Sequence, residues 1–312
     1  MRVVFIGTGE IGVPTLRTLQ RSEHKLVGVV TQPDKAVGRD QKMTPPPIKA
    51  ALTGTEMPIL QPARIRDGRS IDEIRELKPE AIVVMAYGQI LPRDVLQIPP
   101  LACLNLHASL LPRWRGAAPI QAAIAAGDRQ SGITVMFMDE GLDTGDILLQ
   151  HQVDILPNDT GGSLHDRLAG MAPAALLEAL RLLAGGNAPR FPQGSALVTS
   201  APKLNREDGR ISWEEPATVI ERKIRAFNPW PSAFMTIDDP EITAARKSPR
   251  GRNLKIFSAS VVDFDGKPGE ILRNENEFIV AAGKGALSLR EVQLEGRRRM
   301  SAAEFLRGRL LR

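Results

Sequence analysis

The chain has 312 residues, a length that favours two domains over one. Its single cysteine, Cys103, excludes an intrachain disulfide and a thiolate metal cluster, and we expect no bound metal. No apolar run approaches the roughly 18 residues of a membrane span, and a strand pattern begins directly after Met1, so we expect a soluble, cytoplasmic protein without an export signal.

The net charge of +5 is unevenly distributed along the chain. Residues 1–203 carry 21 Lys and Arg against 20 Asp and Glu, whereas residues 204–312 carry 20 against 16. A basic module attached to a nearly neutral one suggests a polyanionic partner that one module holds and the other processes. An Arg-rich solvated surface explains the charge alone equally well.

Short Val- and Ile-rich runs alternate with helical patterns in the first part of the chain. The predicted strands cover 2–6, 26–31, 81–87, 102–107 and 133–139, and the predicted helices cover 13–21, 71–77 and 117–126. This alternation predicts an α/β fold with a doubly wound, mostly parallel sheet. A further strand at 146–155 is expected to run antiparallel to its predecessor, and a helix is expected from Ser163 to Gly185.

The pattern changes after that helix. A proline-rich stretch reads as a linker, and beyond it a helix at 217–227 precedes short strands separated by glycine turns. Such strands favour a small β-barrel. We therefore predict a catalytic domain at 1–188, a linker at 189–205 and a C-terminal barrel domain at 206–312.

The first turn matches a dinucleotide-binding pattern. Residues 7–12, GTGEIG, follow the first strand, and Asp34 lies beyond the second. A nicotinamide-dependent oxidoreductase therefore stays open as an alternative, although no hydride-transfer site is recognisable later in the chain. Close packing of the first helix on the first strand explains the glycines equally well.

The segment 32–47 interrupts the alternating pattern. It contains three consecutive prolines and the basic residues Lys35, Arg39 and Lys42. We therefore expect a long loop without regular structure. Long loops inside compact domains are usually functional. The two interpretations are a loop that orders on binding nucleic acid and plain disorder.

The best candidate for a reactive site is the strand that ends at His107. Asn105 and His107 are two residues apart, so their side chains project from the same face of an extended strand. Asp143 lies in the loop after the next predicted strand, and ligands of open parallel sheets bind outside the carboxyl ends of the strands. We therefore expect Asn105, His107 and Asp143 to converge. A hydrogen-bonded core histidine is the alternative for His107.

At these positions the chain resembles the folate-dependent formyltransferases. That family combines an Asn-x-His pair with a Ser-Leu-Leu-Pro-x-x-Arg-Gly loop and a Gly-x-Asp-x-Gly loop. The resemblance covers nearly the whole chain, and the matching residues are Asn105 and His107, 109–116, 141–145, 86–92, Arg39 and 225–231.

The resemblance implies a Rossmann-like N-terminal domain that binds the formyl donor 10-formyltetrahydrofolate and a C-terminal barrel, resembling an OB fold, that binds tRNA. The implied acceptor is initiator methionyl-tRNA, and we expect the protein to be a monomer. Donor contacts are expected from Tyr87, Gly88, Gln89, Ile90, Ser109, Leu110, Leu111 and Pro112. The resemblance assigns Arg39 to the acceptor end of the tRNA, and the other candidate tRNA contacts are Lys42, Arg206, Arg210, Arg246 and Lys247.

The implied reaction is attack by the uncharged α-amine on the formyl carbon. We expect the Asn105 amide, with a protonated His107 beside it, to stabilise the tetrahedral oxyanion. Asp143 is expected to stabilise the imidazolium and to help move the proton of the amine. A formyltransferase for a small amine, such as an amino-sugar nucleotide or glycinamide ribonucleotide, and a catalytically silent RNA-binding module are further alternatives.

Overall fold

The computed structural model describes residues 1–38, 40–237, 251–273 and 277–307. The chain forms two compact units, of which the first comprises 1–119, 130–154 and 165–202. The second comprises 120–129, 155–164 and the chain from Lys203 onward. Within the described ranges, no helix combines the length and apolarity needed to cross a membrane. The predicted boundaries at 188 and 206 stay a prediction.

Eleven strands and six α-helices are described up to residue 201. The strands are β1 (Arg2–Gly7), β2 (Lys25–Val30), β3 (Lys35–Val37), β4 (Lys42–Thr44), β5 (Ile59–Leu60), β6 (Ala81–Met85), β7 (Ala102–His107), β8 (Arg115–Gly116), β9 (Gln130–Phe137), β10 (Ile147–Asp154) and β11 (Ser200–Ala201). The helices are α1 (Val13–Arg21), α2 (Pro47–Ala50), α3 (Gly68–Glu76), α4 (Arg93–Leu96), α5 (Pro119–Ala126) and α6 (Gly161–Ala184).

The first unit is built on a seven-stranded sheet in the order β10-β9-β7-β6-β1-β2-β5. The pairs from β5 to β7 are parallel, and the strand order reverses between β1 and β6. The predicted doubly wound, mostly parallel sheet is therefore confirmed. Strands β1 and β6 form its centre, and the side chains of residues 3–6 and 81–85 are buried because helices and loops cover both faces.

The direction of β9 differs from the prediction. It runs antiparallel to β7, with Leu104 beside Phe137 and His107 beside Thr134, and β10 is antiparallel to β9 as predicted. A strand, helix and strand in succession predict a crossover that makes the two strands parallel. Here residues 120–126 of α5 group with the second unit. The helix is therefore not a crossover of the sheet, and β9 turns back beside β7.

The segment 32–47 also differs from the prediction, because part of it has regular structure. Strands β3 and β4 form an exposed antiparallel hairpin in which Lys35 pairs with Thr44. The hairpin is held by backbone pairing and carries no apolar alternation, which is why the sequence pattern did not indicate it. Arg39 lies outside the described residues.

The second unit contains an antiparallel sheet, which confirms the predicted class of the C-terminal domain. The elements are α7 (Ala217–Ala226), β12 (Ala233–Ile237), β13 (Arg252–Val262), β14 (Ile271–Arg273), β15 (Phe278–Ala281), β16 (Ala286–Leu294), β17 (Met300–Ser301) and α8 (Ala302–Arg307). The strand order is β12-β13-β16-β15-β14, with β17 paired to β16. Register shifts at 256–259 in β13 are of the kind that bend a strand.

The core of this sheet is covered by two helices. Ile220 and Ile224 of α7 are buried against the strands. Phe305 of α8 stacks on Phe278 with the ring centroids 6.0 Å apart. The sequence did not indicate β12, β17 or α8, because each is short and is stabilised by packing on neighbours that are distant in the chain.

Candidate active site

Strand β7 places two polar side chains in the middle of the sheet. Asn105 lies beside Val84 of β6 and Met136 of β9, and His107 lies two residues further along the strand. The leucines on the opposite face are buried, as the alternation of the strand requires. His107 is itself buried, with 6% of its side chain exposed.

Asp143 reaches this face from the loop that joins β9 to β10. Asp139 closes the loop, because its Oδ1 accepts hydrogen bonds from the N–H of Gly141 at 3.0 Å and the hydroxyl of Thr144 at 2.6 Å. Asp143 itself adopts a left-handed backbone conformation, with φ of 54°. Because β9 runs antiparallel to β7, the loop starts beside Leu104 and not beyond His107. The loop folds back, and this brings Asp143 to Asn105 and His107.

The three predicted site residues converge on the Asp143 carboxylate. Asn105 Nδ2 donates a hydrogen bond to Asp143 Oδ1 at 3.1 Å. The second oxygen, Oδ2, accepts the backbone N–H of Gly116 at 2.8 Å and lies 3.5 Å from His107 Nδ1. Only 11% of the Asp143 side chain is exposed. Both carboxylate oxygens therefore have defined partners, and one N–H of the Asn105 amide is left for another acceptor.

The imidazole ring of His107 is fixed from both sides. Its Nε2 donates to the backbone carbonyl oxygen of Trp114 at 2.8 Å, while Nδ1 faces Asp143. Both ring nitrogens thus face oxygen acceptors, an arrangement in which the imidazolium form can donate two N–H groups. His107 is therefore oriented by the loop that follows β7 as well as by Asp143.

The loop 109–116 is organised by internal hydrogen bonds. Ser109 Oγ donates to the carbonyl oxygen of Arg113 at 2.7 Å. Thr134 Oγ1 accepts the N–H of Leu111 at 3.1 Å and donates to the carbonyl oxygen of Ser109 at 2.6 Å. Gln150 Nε2 donates to the carbonyl oxygen of Leu111 at 2.9 Å. Thr134 and Gln150 were not predicted, because a strand pattern does not show which side chains meet a loop.

The predicted donor contacts in this loop differ in their accessibility. Ser109 and Leu111 are buried, at 1% and 3% exposure, and Leu110 and Pro112 are partly exposed. The buried pair can shape a binding site through the backbone that it holds. Direct contact with a bound molecule is open only to the partly exposed pair.

The remaining predicted donor contacts follow β6, next to β1. Tyr87 is buried, its hydroxyl has no hydrogen-bond partner among the described residues, and desolvation raises its pKa to about 12. Gln89 Oε1 accepts the N–H of Ile65 at 2.9 Å, Gly88 has φ of 86°, and Ile90 is exposed. The strand order reverses beside this loop, where doubly wound sheets have their ligand-binding crevice.

The predicted tRNA contacts are only partly within the described residues. Arg39, Arg246 and Lys247 lie outside them. Lys42 is exposed on β4 of the first unit, and Arg206 is exposed in the second. Arg210 is also exposed, but its guanidinium pairs with Glu207 at 3.0 Å and lies over the Phe234 ring, 4.9 Å from its centroid.

The dinucleotide pattern at 7–12 has a packing explanation. A Cβ atom on Gly7 would lie 2.7 Å from the Phe5 ring and 2.8 Å from the carbonyl oxygen of Met85. Asp34 accepts hydrogen bonds from Gln61 and Lys49, which lower the pKa of its carboxyl group. The glycine therefore allows close backbone approach, and the acid of the pattern braces the base of the β3–β4 hairpin.

Cys103 is buried, and desolvation raises its pKa to about 12, so the thiol is not a nucleophile at neutral pH. Among the described residues, no group of three or more His, Cys, Asp or Glu side chains could hold a metal ion.

Gly116 provides a test of the backbone at the site. Its φ is 121°, and a Cβ atom would lie 2.5 Å from the carbonyl oxygen of Ala201. We expect Gly116→Ala to lower the free energy of unfolding by about 2 to 4 kcal/mol, because the backbone is strained and must shift. Gly186→Ala is the matched control, since Gly186 has φ of 68° but open space around it. Equal losses in thermal unfolding would contradict the role of the close contact.

Two family models match this chain. The family model described as formyl transferase matches residues 1–180, and the model of the formyl transferase C-terminal domain matches residues 203–310. These matches cover most of the chain, which belongs to the formyl transferase family.

Relatives narrow the family further. The chain is 43% identical over 309 residues to a methionyl-tRNA formyltransferase of Geobacter sulfurreducens, covering 99% of this chain and 94% of the relative. It is 46% identical over 310 residues to one of Pseudomonas putida, covering 99% and 96%. Within the family it therefore groups with the methionyl-tRNA formyltransferases.

A solved structure of a sugar 3N-formyl transferase, WlaRD, has a TM-score of 0.67 at 17% identity and covers 96% of this chain and 99% of its own. At this identity the likeness concerns the fold alone.

Proposed function

We propose that the protein transfers the formyl group of 10-formyltetrahydrofolate to the α-amine of methionyl initiator tRNA in the cytoplasm. The products are N-formylmethionyl-tRNA and tetrahydrofolate. The observation that carries the proposal is the convergence of Asn105 and His107 with Asp143, in a chain whose relatives are named methionyl-tRNA formyltransferases.

The donor is proposed to bind between the loop after β6 and the loop after β7. Both loops leave the same edge of the sheet, because β6 and β7 are parallel neighbours and each loop follows the carboxyl end of its strand. The exposed Ile90 and the partly exposed Leu110 and Pro112 offer apolar contact to a flat ring system. Tyr87, Gly88, Gln89, Ser109 and Leu111 would shape this site.

The reaction begins when the uncharged α-amine attacks the formyl carbon attached to N10 of the donor. A carbon–nitrogen bond forms and the carbonyl oxygen becomes an oxyanion, after which the bond from the formyl carbon to N10 breaks. The second N–H of the Asn105 amide is the donor that we assign to this oxyanion. A preorganised donor of this kind contributes about 3 to 4 kcal/mol.

The proton lost by the amine must reach N10 of the leaving tetrahydrofolate. We assign this relay to the Asp143 carboxylate, acting through water, with His107 holding the carboxylate in position and supplying positive charge beside it. An α-amine titrates near 7.7 to 8.0, so roughly a tenth to a sixth of it is uncharged at pH 7, and no strong base is needed to supply the nucleophile. Positioning and oxyanion stabilisation therefore dominate the chemistry.

The tRNA is proposed to contact basic residues of both units. In the first part of the chain these are Lys42 of the hairpin and Arg39, three residues earlier in the sequence, and in the C-terminal part they are Arg206, Arg210, Arg246 and Lys247. Phosphate contacts release counterions, which favours such surfaces. Arg210 already pairs with Glu207, so its contribution requires exchange of that partner.

The deciding experiment is transfer of labelled formyl from 10-formyltetrahydrofolate to four acceptors. These are methionine-charged initiator tRNA, charged elongator tRNA, free methionine and an amino-sugar nucleotide. We expect product on the initiator tRNA alone. Product on the amino-sugar nucleotide alone would replace the tRNA by a small amine, and no transfer to any acceptor would contradict the proposed donor. A parallel titration with NADH is expected to give no binding.

A further inference from the structure

A glutamine in the predicted linker contacts the loop that carries Asp143. Gln193 Nε2 donates hydrogen bonds to the carbonyl oxygens of Asp143 at 2.9 Å and Gly145 at 2.8 Å. Its Oε1 accepts from Arg115 Nε at 3.1 Å and Nη2 at 2.7 Å. A side-chain amide has two N–H donors and one oxygen with two lone pairs, so all four capacities of Gln193 are used.

The Asp143 loop needs such support because its backbone is unfavourable. A left-handed conformation costs a residue with a side chain about 1 to 2 kcal/mol. The flanking residues Gly141 and Gly145 give the unfolded loop many alternative conformations. The two hydrogen bonds from Gln193 fix the carbonyl group of Asp143 itself and that of Gly145, two residues further on, so the carboxylate stays beside Asn105.

The partner of Gln193 also belongs to the site. Arg115 of β8 holds the Gln193 oxygen, and the next residue, Gly116, donates its backbone N–H to Asp143 Oδ2. Two consecutive residues thus hold the Asp143 loop, one through Gln193 at the backbone and one at the carboxylate. The backbone N–H of Arg115 donates a hydrogen bond to the carbonyl oxygen of Thr199 at 2.9 Å. This bond fixes the backbone that carries both the Arg115 guanidinium and the Gly116 N–H.

The position of Gln193 is fixed as well. Phe191, two residues earlier, exchanges two backbone hydrogen bonds with Ile147, both at 2.9 Å, at the start of β10. Seven residues later β11 pairs with β8. The segment that carries Gln193 is therefore anchored at both ends to the strands that bound the site.

We propose that Gln193, held by Arg115, is a positioning residue that keeps the Asp143 carboxylate in its reactive place. This rests on the proposed function, because the role of Asp143 in the reaction does. A merely structural role for Gln193, in tying the segment to the rest of the unit, predicts lost stability without a specific effect on turnover.

Steady-state kinetics of two variants separate these roles. We expect Gln193→Ala to lower kcat by about 10- to 100-fold with KM for donor and tRNA nearly unchanged, since a displacement of about 1 Å has an effect of this size. Gln193→Glu retains the size of the side chain and an oxygen that accepts from Arg115, but it turns a carboxylate oxygen toward two carbonyl oxygens. The loss of kcat should therefore be at least as large as in Gln193→Ala. Gln152→Ala, an exposed glutamine on β10, is the control. Wild-type kcat in Gln193→Glu would overturn the proposal.

A double-mutant cycle tests whether Gln193 acts through Asp143. In the Asp143→Ala background, Gln193→Ala is expected to cause no further loss of kcat, because residues that act as a unit are not additive. Losses that multiply would overturn the proposal.

Hydrogen exchange of the Gly116 amide tests the same arrangement in a measurement that does not depend on enzymatic activity. We expect faster exchange in Gln193→Ala at unchanged exchange of the central strand β6, since Gly116 bonds to the displaced carboxylate. Unchanged exchange at Gly116 would overturn the positioning role. Absence of formyl transfer by the wild type would instead contradict the proposed function and leave this measurement interpretable.

Discussion

Asn105→Ala is expected to lower kcat for formyl transfer by about 10²- to 10³-fold, the usual effect of removing one oxyanion donor. The KM values for donor and tRNA should change little. The oxyanion exists only after the amine has attacked, so the lost hydrogen bond stabilises the transition state and not the bound substrates. Measurement of kcat and KM with methionyl initiator tRNA tests this.

The size of the effect follows from the two donors of the Asn105 amide. One N–H is used by Asp143 Oδ1 at 3.1 Å, and the other is the one that we assign to the substrate. Alanine removes both, so the carboxylate also loses a partner. The two consequences act on the same step, and neither alters a surface that binds tRNA.

Asn187→Ala is the matched control, because Asn187 is exposed in the segment after α6. It makes the same chemical change in the same unit at a distance in sequence from the site. Turnover by Asn105→Ala within about threefold of the wild type would remove Asn105 from the reaction. A raised KM for the donor with unchanged kcat would reassign it to binding.

The core of the site was predictable because it depends on local rules. The spacing of Asn105 and His107 places them on one face of a strand, whatever the order and direction of the neighbouring strands. Asp143 was expected near them because its loop follows the next strand, and β7 and β9 are indeed neighbours. The direction of β9 was not predictable from periodicity, because a helix between two strands indicates a crossover only when it packs on the sheet.

The support of the site was not predictable, because it depends on contacts between residues distant in the chain. Gln193 lies 50 residues beyond Asp143 and 78 beyond Arg115. It stands in a proline-rich stretch without periodicity, which reads as a linker. Thr134 and Gln150 organise the loop 109–116 from two strands whose pattern predicts only burial. Tertiary contacts, and not local propensity, therefore decide which polar side chains support the site.

Asp143→Asn is expected to lower kcat by about 10²- to 10⁴-fold, the range for a group that moves a proton in the transition state. Asparagine tolerates the left-handed backbone that Asp143 adopts, so the substitution leaves the loop conformation accessible. Each carboxylate oxygen, however, accepts an N–H, one from Asn105 and one from Gly116. The new NH₂ group must therefore face a donor, and the negative charge beside His107 is lost.

The control for this substitution lies in the same loop. Asp139→Asn retains an Oδ1 that can accept from both Gly141 and Thr144, so we expect turnover close to that of the wild type. Equal losses in the two variants would show that any change in the loop impairs the enzyme. Binding of uncharged tRNA, measured separately, should be the same in both variants. A large loss of kcat confined to Asp143→Asn would therefore come from its carboxylate, since the backbone, the loop and the tRNA surface are matched.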